Sequence, residues 1–595
     1  MDSQFIRYVL DGAAGAARRF PLAAAFCAGT CAMTWWLIGG PQPEPHLRLT
    51  LAITLGLGAA LFYALALVAE RFPLPAPARP WHLFAAGGLF LVYFYYLFAG
   101  GEGLDYGDRF AQWAFFVITL AMAAPYLRAA EPLGMWQFVR RLVLRYAVSA
   151  VYTVALFAGI SLALAAVDKL FGVHIDESAY QYLWAFAATL FWPLHFMAGT
   201  PQHHDALAAD ATYPRGLKLF TQYVLLPLAS LYFLILYVYM AKILATQQWP
   251  QGWVSWLTSS ASALGLLAFL LLYPVSGEPE NRRIRVFSRG FCLAALPLLL
   301  MLFTALYKRV AQYGLTEHRY FMIGFGLWLF GMFLYFLLSR RPDIRRVPTS
   351  LALLAAVTSF GPWSAYSVGL SSQLGRFERL LADNGLLAAG KAVKLEGPLP
   401  DEARRGLSGA LDYILRYHGP DPLKAYFPPD HPALSRATPG RRYDASKALM
   451  AYMGQEYLNH WAQGASTNLN IRAERSGMDV AGYDLAVRFN AYADRAAAPA
   501  EDEVYRVQLR REERELRVFR DGRFLIDVPL GPLLAATSAV TRETGRVEQD
   551  LLKAEAANGA VKVRVYLSAL FVERKRPEAP EALTAEGLLL LKHKK

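Results

Sequence analysis

The stretch YGLTEHRYFMIGFGLWLF, residues 313–330, places three ionisable side chains in a row at the start of a long apolar run. Thr316 can act as the N-cap of a helix, and Glu317 then takes the first helical position, where an acidic group meets the positive end of the helix dipole. Arg319 can pair with a carboxylate or extend its charge to lipid headgroups. The sequence therefore predicts a helix that begins at a membrane interface. A binding or gating role for Glu317, His318 and Arg319 is the alternative.

The composition agrees with a membrane location. Of the 595 residues, 55% are hydrophobic and 18% are charged, and the mean hydropathy is +0.25, which is too apolar for an ordinary soluble protein of this length. The 13 Trp, 32 Tyr and 36 Phe are typical of many interfacial anchors. Cys27, Cys31 and Cys292 lie in apolar segments, so we expect buried small residues, with no disulfide framework or thiolate metal cluster.

Apolar runs of roughly 17–25 residues are needed to span the ~30 Å hydrocarbon core of a bilayer. The first run follows Arg18 and Arg19, as in a signal peptide, but WWLIGG at its end lacks a cleavage site, and we expect it to remain as a helix. The sequence predicts an α-helical polytopic membrane bundle of about eleven transmembrane helices. The runs lie near residues 20–40, 49–69, 81–100, 110–127, 144–166, 179–199, 219–244, 253–274, 287–307, 319–339 and 347–369.

Basic residues between these runs predict the orientation, because Lys and Arg beside short loops resist translocation. With a cytoplasmic N-terminus, nineteen of the twenty-six basic residues before residue 371 fall on the cytoplasmic side. The net charge of +13 is therefore interpreted as topology, and no nucleic-acid partner is predicted. An odd number of spans places the chain after about Gly369 outside the cytoplasm.

The remaining tail has the pattern of a folded α+β domain. Apolar residues spaced three and four apart predict helices in SSQLGRFERLLADNGLL, DEARRGLSGALDYILRYHG and DASKALMAYMGQEYLNHWA. From about Thr467 the period becomes two, and Asp521-Gly522 between two such runs predicts a hairpin turn. The predicted organisation is a transmembrane bundle over residues 1–369, a helical segment over 370–465 and a small antiparallel-sheet domain over 466–595.

No nucleotide-binding, zinc-protease or nucleophile-elbow motif occurs, so we predict no catalytic residue and no cofactor. Two groups of polar residues could attract a metal or another cation, but a solvated loop explains each of them. They are His203, His204 and Asp205 in one loop, and Glu102, Asp105 and Asp108 in another.

Some polar residues inside the apolar runs are candidates for a binding or gating role. His195 follows Pro193 by two residues, where a freed carbonyl could use a donor, although a locally satisfied histidine is the simpler interpretation. Tyr232, Tyr239 and Lys242 share one helical face. Just beyond them, QQWPQGW supplies Trp249 and Pro250, a proline turn with interfacial aromatics, and a structural anchor explains this group equally well.

Three stretches carry a resemblance to the DUF4153 family of bacterial polytopic membrane proteins. They are YGLTEHRY followed by LW, LLPLASLYFLILYVYMAK followed by WPQGW, and GPWSAYSVGLSSQLGRFERLL. The resemblance implies a bacterial cytoplasmic-membrane protein, and the family has no assigned activity to transfer. It directs attention, without assigning roles, to Thr316, Glu317, Arg319, Tyr232, Trp249, Pro250, Gln373 and Arg376.

Two function classes follow. The first is a transport or channel-like bundle, whose periplasmic accessory domain gates it or receives a small solute. The second is a non-catalytic envelope sensor or assembly scaffold that binds an envelope protein through the periplasmic domain. Transport predicts polar residues around a water-filled cavity, whereas a scaffold predicts a dry interior. A membrane enzyme ranks third, because no convergent nucleophile or acid–base pair is visible.

Overall fold

The computed structural model of the protein divides into two compact units, Met1–Leu458 and Asn459–Lys595. The first unit is almost entirely helical, and the second is built mainly from strands. The structure describes residues 3–40, 45–71, 79–99, 106–127, 132–202, 206–210, 212–247, 253–276, 282–435, 442–458, 467–473, 479–493, 497–500, 504–511, 513–536, 544–547, 552–574 and 580–593.

The helices of the first unit range from four to forty residues in length. A two-stranded hairpin, β1 (Leu387–Ala388) and β2 (Lys391–Ala392), follows the fifteenth helix. The helices are α1 (Ser3–Arg19), α2 (Pro21–Gly39), α3 (Pro45–Arg71), α4 (Arg79–Ala99), α5 (Tyr106–Ala123), α6 (Pro132–Phe171), α7 (Glu177–Phe186), α8 (Trp192–Ala198), α9 (Arg215–Phe220), α10 (Leu226–Thr246), α11 (Trp253–Ser276), α12 (Arg282–Tyr313), α13 (Glu317–Leu338), α14 (Arg346–Val357), α15 (Ala365–Asp383), α16 (Asp401–Tyr417), α17 (Pro432–Ser435) and α18 (Arg442–Tyr452).

Seven helical stretches within the described residues are long and apolar enough to cross a membrane. These helices mark the chain as a membrane protein, while the predicted total of eleven spans stays a prediction. Two shorter apolar stretches are Gly87–Tyr96 and Arg346–Val357. The seven are Pro21–Gly39, Leu47–Arg71, Pro132–Phe171, Arg215–Thr246, Ser255–Ser276, Arg289–Tyr313 and Glu317–Leu338.

Two helices widen into a π-helical turn just before a proline. Ala187–Phe191 joins α7 to α8 ahead of Pro193, and Thr221–Leu225 joins α9 to α10 ahead of Pro227. A proline has no N–H to donate, and its ring clashes with the carbonyl four residues earlier. A π turn accommodates both effects without ending the helix.

The eleventh apolar run is not one helix. Helix α14 ends at Val357, and α15 begins at Ala365 after a turn in which Gly361 has φ +81°. Gly361-Pro362 breaks the helix because glycine permits this φ and proline disfavours a helical residue before it. The segment nevertheless returns along α13: the Arg346 guanidinium lies 4.5 Å from the Tyr335 ring, and the Tyr320 hydroxyl donates to the Trp363 carbonyl at 2.7 Å.

Contacts between residues at or near the ends of helices bring these ends together in two groups. Arg19, just before α2, binds Glu70 at the end of α3 at 2.8 Å and donates to the Thr200 carbonyl after α8 at 2.6 Å. Near the other end of α2, the Trp35 indole N–H donates to the Tyr182 carbonyl in α7 at 3.0 Å. Loops assigned to the same side of the membrane by their charges are therefore neighbours.

After the turn, residues 365–435 and 442–458 form a small helical layer, which we name the helical cap. Its core is built by α15, α16 and α18, with Phe377, Leu411 and Leu449 fully buried. The predicted domain boundary at residue 369 falls inside α15, and the three-part division of the chain stays a prediction.

The second unit contains two sheets that share one apolar core. Ten strands and one short helix, α19 (Gly531–Ala536), are described. The six-stranded sheet has the order β4-β12-β11-β3-β9 with β10 also paired to β11, and the four-stranded sheet has the order β5-β6-β7-β8. The strands are β3 (Thr467–Ala473), β4 (Leu485–Tyr492), β5 (Ala498–Pro499), β6 (Tyr505–Arg510), β7 (Glu515–Arg520), β8 (Arg523–Pro529), β9 (Thr544–Val547), β10 (Lys553–Ala557), β11 (Val561–Arg574) and β12 (Pro580–His593).

All strand pairs are antiparallel except β3 with β9, which is parallel. Between β7 and β8, Asp521 and Gly522 have φ of 49° and 76°, which is the left-handed geometry of a tight hairpin turn. The Asp-Gly pair in the sequence predicts this turn directly.

Candidate functional site

The site is built around Glu317, the first residue of α13. Its side chain is only 1% exposed, although a carboxylate at this helical position normally faces water. Thr316 occupies the N-cap position with extended backbone, but its side chain makes no capping hydrogen bond. The helix dipole therefore favours the charge of Glu317, while other groups must replace the water that the carboxylate has lost.

Two residues of the helical cap supply those groups, one in α16 and one just after its end. The Tyr413 hydroxyl donates to Glu317 Oε2 and accepts the Glu317 backbone N–H at 3.4 Å. His418 Nε2 lies 3.0 Å from Glu317 Oε1, and the His418 side chain is 6% exposed. The two atoms do not form a hydrogen bond with each other, and neither has another hydrogen-bond partner among the described residues. Glu317 and His418 thus face each other as a buried acid–imidazole pair.

Helix α15 closes the other side of the carboxylate. A Cβ atom at Gly369 would lie 2.8 Å from Glu317 Oε1, so only glycine permits this approach. Nearby, the Arg109 guanidinium stacks 3.7 Å from the centre of the Tyr366 ring and lies within electrostatic range of Glu317. The buried negative charge therefore has a cation in its surroundings.

A second set of contacts fixes the turn between α12 and α13. Gln373, 1% exposed, donates from Nε2 to the carbonyls of Tyr313 at 3.0 Å and Leu315 at 3.1 Å. The Ser372 hydroxyl accepts the Leu315 N–H at 2.9 Å. Gly314, with φ +73°, makes the turn possible. Helix α15 thus acts as a clamp on the chain that leads into Glu317.

Two arginines complete this clamp. Arg319 Nη1 donates to the Gly314 carbonyl at 2.6 Å, so its partner lies in the turn before its own helix and not on a neighbouring element. Both Arg319 and Arg376 stand over the Tyr313 ring, at 5.7 Å and 6.0 Å from its centre. Burial lowers the pKa of the Arg376 guanidinium, and the Tyr313 hydroxyl partly opposes this effect.

His318 points away from Glu317. Its side chain is 60% exposed, and Nε2 lies 3.7 Å from Asp108 Oδ2 at the start of α5. The ring also meets the edge of Tyr417 at 6.4 Å between centres. His318 therefore belongs to the rim of the site.

The structure brings together Thr316, Glu317, His318, Arg319, Gln373 and Arg376 but leaves the other candidates elsewhere. His195 Nδ1 is 2.8 Å from the Ser149 hydroxyl, and the His195 carbonyl accepts from Arg145 at 2.7 Å. This is a locally satisfied histidine beside the π turn before Pro193. No contact links it to Glu317.

On α10, Tyr232 and Lys242 are exposed and Tyr239 is half-buried, so this face meets the surroundings of the bundle. Several candidates lie outside the described residues: Trp249, Pro250, His203, His204, Asp205, Glu102 and Asp105.

Tyr413, His418 and Gly369 were not predicted from the sequence. The signal available for two of them is YILRYHG, residues 413–419, which ends an amphipathic helix with two tyrosines and a histidine. Their partner lies 96 or more positions earlier in the chain, and only tertiary packing joins them.

The arrangement brings a carboxylate, an imidazole and a phenol together out of water. Within the part of the chain that the structure describes, no three His, Cys, Asp or Glu side chains are grouped to bind a metal ion. The burial of Glu317 and His418 gives a substrate no direct approach to them.

Comparison with known proteins matches most of the helical unit to one family. A family model described as Domain of unknown function (DUF4153) matches residues 23–377, more than half of the chain. The chain belongs to the DUF4153 family. The matched region contains Glu317, Arg319, Gln373 and Arg376 and ends within α15, before Tyr413 and His418. The family description carries no activity.

The chain is also similar to the Uncharacterized protein PM1469 of Pasteurella multocida (strain Pm70), at 26% identity over 286 residues. The alignment covers 47% of this chain and 48% of that protein, so the chain spans about half the length of the curated relative it matches. No solved structure matches the chain.

Proposed function

We propose that this protein is a non-catalytic envelope sensor or assembly factor of the bacterial inner membrane, in which the helical cap responds to the state of α13. The observation that carries the proposal is the buried Glu317 carboxylate, which Tyr413 binds and His418 faces. All contacts of this carboxylate with the cap meet at one helix end. A shift of α13 would therefore change the contacts of α16 first.

The energetics support a coupling of this kind. A buried carboxylate that keeps its partners is tolerated, but one that loses them costs several kcal/mol. Docking of α16 on α13 and satisfaction of Glu317 are thus one event. A signal that moves α13 therefore changes the free energy of cap docking through this contact.

The interior of the bundle favours a sensor over a transporter. Buried apolar side chains fill the space between the described helices, with Trp113, Phe94 and Phe333 among the most deeply buried. Hydroxyls inside the bundle, such as Thr153 and Thr221, donate to the carbonyl four residues earlier in their own helix. A transport path needs polar groups directed into a shared cavity instead.

The proposal includes eleven spans, with a cytoplasmic N-terminus and a periplasmic cap and strand unit. Two observations support it. Residues 346–363 return along α13 from the level of Tyr335 to that of Tyr320, as a crossing segment would. In addition, the loops assigned to one side by their basic residues contact each other, as Arg19 does with Glu70 and Thr200.

Transport by the bundle is the second candidate, and α11 supplies the observation that favours it. Thr258 and Ser262, one turn apart, are fully buried, and their hydroxyl oxygens have no hydrogen-bond partner among the described residues. Two such oxygens inside a bundle can bind water or a cation.

Glu317→Gln tests the proposal, with Glu402→Gln as the control, because Glu402 is an exposed acid in the first turn of α16. We expect Glu317→Gln to increase hydrogen exchange in residues 401–418 and to fail to complement a strain that lacks the gene under detergent or antibiotic stress. Glu402→Gln should behave as the wild type in both assays. Full complementation by a Glu317→Gln protein whose cap has loosened would refute the sensor role.

Reconstituted vesicles separate the two candidates. A sensor should leave proton and cation flux at the level of empty vesicles, measured with pH-sensitive and potential-sensitive dyes. Flux that Thr258→Val and Ser262→Ala abolish would put transport in place of sensing.

A further inference from the structure

A groove opens beside the site, between α5, α13 and α14. Its volume is about 290 Å³, and its lining residues lie in three segments, 108–115, 318–325 and 351–358, each of about two helical turns. Six of the lining residues mark its two ends. At one end stand Asp108, His318 and Thr358, and at the other stand Phe115, Phe325 and Leu351.

The groove has a polarity gradient along the helix axes. The end marked by Asp108, His318 and Thr358 is polar, and the Gln112 side chain donates a hydrogen bond to the Thr358 hydroxyl there at 3.1 Å. Further along, aromatic and aliphatic side chains form the walls. In the topology proposed above, the polar end lies at the periplasmic surface of the inner membrane, and the apolar end points toward the bilayer centre. This is the gradient that a phospholipid presents between headgroup and acyl chain.

The dimensions suit a single alkyl chain. Two helical turns are ~10 Å long, so the groove has an average cross-section of roughly 30 Å² and lies within one ~15 Å leaflet.

The groove also opens to the surface that faces lipid. Phe115 on its wall is 43% exposed, and Leu353 and Val357 on the outer side of α14 are 63% and 42% exposed. A lipid can enter from the side without any helix moving. At the polar end, Asp108 and His318 stand 3.7 Å apart, which offers one acidic and one basic partner.

We propose that this groove binds one acyl chain of a zwitterionic phospholipid from the outer leaflet, with the ammonium of its headgroup toward Asp108 and its phosphate toward His318. Because His318 adjoins Glu317 and its ring contacts Tyr417 of α16, an occupied groove borders the acid–imidazole pair. The lipid is thereby the signal of the proposed sensor. This last link and the choice of the outer leaflet rest on the proposed function.

Two glycines of α13 provide a matched pair of variants. A Cβ atom at Gly324 would lie 4.0 Å from Leu354 with the groove in front of it, so Gly324→Leu fills the groove. Gly331 is two turns further along α13, with nothing within 4 Å of its Cβ position, and Gly331→Leu is the control. Ala111→Phe fills the same groove from α5 and guards against a folding defect in Gly324→Leu.

The experiment reconstitutes each protein in phosphatidylethanolamine vesicles that contain a trace of phosphatidylethanolamine with a diazirine in its acyl chain. After illumination, labelled peptides are identified by mass spectrometry. We expect strong labelling of residues 318–325 and 351–358 in the wild type and in Gly331→Leu. Labelling should fall roughly tenfold in Gly324→Leu and Ala111→Phe. This is the loss expected when about two methylene groups of the acyl chain can no longer be buried in the groove.

Equal labelling of the groove peptides in the wild type and both filled variants would overturn the lipid site. A second arm uses phosphatidylglycerol vesicles with the same photoreactive chain, where we expect several-fold weaker labelling because the headgroup lacks an ammonium. Equal labelling in both vesicles would overturn the zwitterionic assignment. Glu317→Gln should keep the groove labelling, so failure of the sensor role and failure of the lipid site are seen separately.

Discussion

At the scale of single residues, Gly369 determines how closely α15 can approach Glu317. A methyl group there would lie 2.8 Å from Glu317 Oε1 and must displace the carboxylate from Tyr413 and His418. We expect Gly369→Ala to lower stability by about 1–3 kcal/mol, in the range of overpacking in a tight core. Thermal unfolding in detergent measures this loss.

Gly375 provides the control for this substitution, because it lies on the same helix with nothing within 4 Å of its Cβ position. Gly375→Ala should be neutral or stabilising by roughly 0.5–1 kcal/mol, since alanine favours the helix. Equal melting temperatures for the two variants would show that Glu317 is not held as tightly as the geometry implies.

At a different residue, Arg564, two ion pairs lead us to expect that the stability of the strand unit depends on pH. Arg564 binds Glu555 at 2.6 Å and Asp479 at 3.2 Å. The pKa of Asp479 is lowered by a hydrogen bond from the Ala481 N–H and, next, by one from Arg564. At Glu555, burial raises the pKa, but the hydrogen bond and charge of Arg564 outweigh burial, so the pKa of Glu555 is lowered as well. Because both folded pKa values lie below the ordinary values of 3.8 and 4.5, this stabilisation is present above those values and is lost as the pH falls below them.

We therefore expect Arg564→Met to destabilise the strand unit at pH 7, and the difference from the wild type to shrink as both carboxylates become protonated in acid. Urea unfolding of residues 459–595 at a series of pH values measures this. Arg488→Met, on an exposed position of β4, is the control and should have little effect at any pH. A loss that is independent of pH would mean that Arg564 acts through packing on Tyr483 and not through its charge.

At the scale of elements, α15 holds the α12–α13 turn through Gln373. Gln373→Ala would leave the Tyr313 and Leu315 carbonyls without their buried donor, at a cost of about 1–3 kcal/mol. We expect faster hydrogen exchange in residues 310–320 and earlier proteolysis there. Ser371→Ala, exposed on the same helix, should leave both unchanged. If the turn stays protected from hydrogen exchange and proteolysis in Gln373→Ala, then Ser372 and the two arginines hold the turn instead.

The sequence predicts those features of the elements that depend on local chemistry. The start of α13 at TEHRY follows from the dipole and the apolar run, and the β7–β8 turn follows from Asp-Gly. The break at Gly361-Pro362 was missed because hydropathy stays high across it. Strand β12 was missed because Leu589, Leu590 and Leu591 are all buried, and a strand covered on both faces loses its period of two.

The centre of the site lies beyond such local patterns. Glu317 was singled out because a carboxylate beside an apolar run is unusual. Its partners Tyr413 and His418 lie in and just after α16, which follows the bundle in the sequence. Nothing in the period or charge of α16 distinguishes a tyrosine that reaches Glu317 from one that faces water. Only the packing of α15 between them makes the contact.

At the scale of the whole molecule, the strand unit has a core of its own. Every buried residue of that core, from Ile471 to Leu591, belongs to the unit Asn459–Lys595. Residues 459–595 expressed alone should therefore be soluble and unfold in one cooperative transition, followed by circular dichroism. A fragment with the spectrum of a random coil would show that the core is completed by the rest of the chain.

The orientation of the whole chain depends on whether residues 346–363 cross the membrane. Fusions to a phosphatase that needs disulfide bonds, active only in the periplasm, can be placed after Asp343, in the loop rich in arginine, and after Lys595. We expect an inactive enzyme at the first site and an active one at the second, because the segment runs from the level of Tyr335 back to that of Tyr320. An enzyme that is active at the first site and inactive at the second would mean that α13 and α14 cross the membrane in the opposite direction. Glu317 and the groove beside it would then face the cytoplasm, and the lipid would have to come from the inner leaflet.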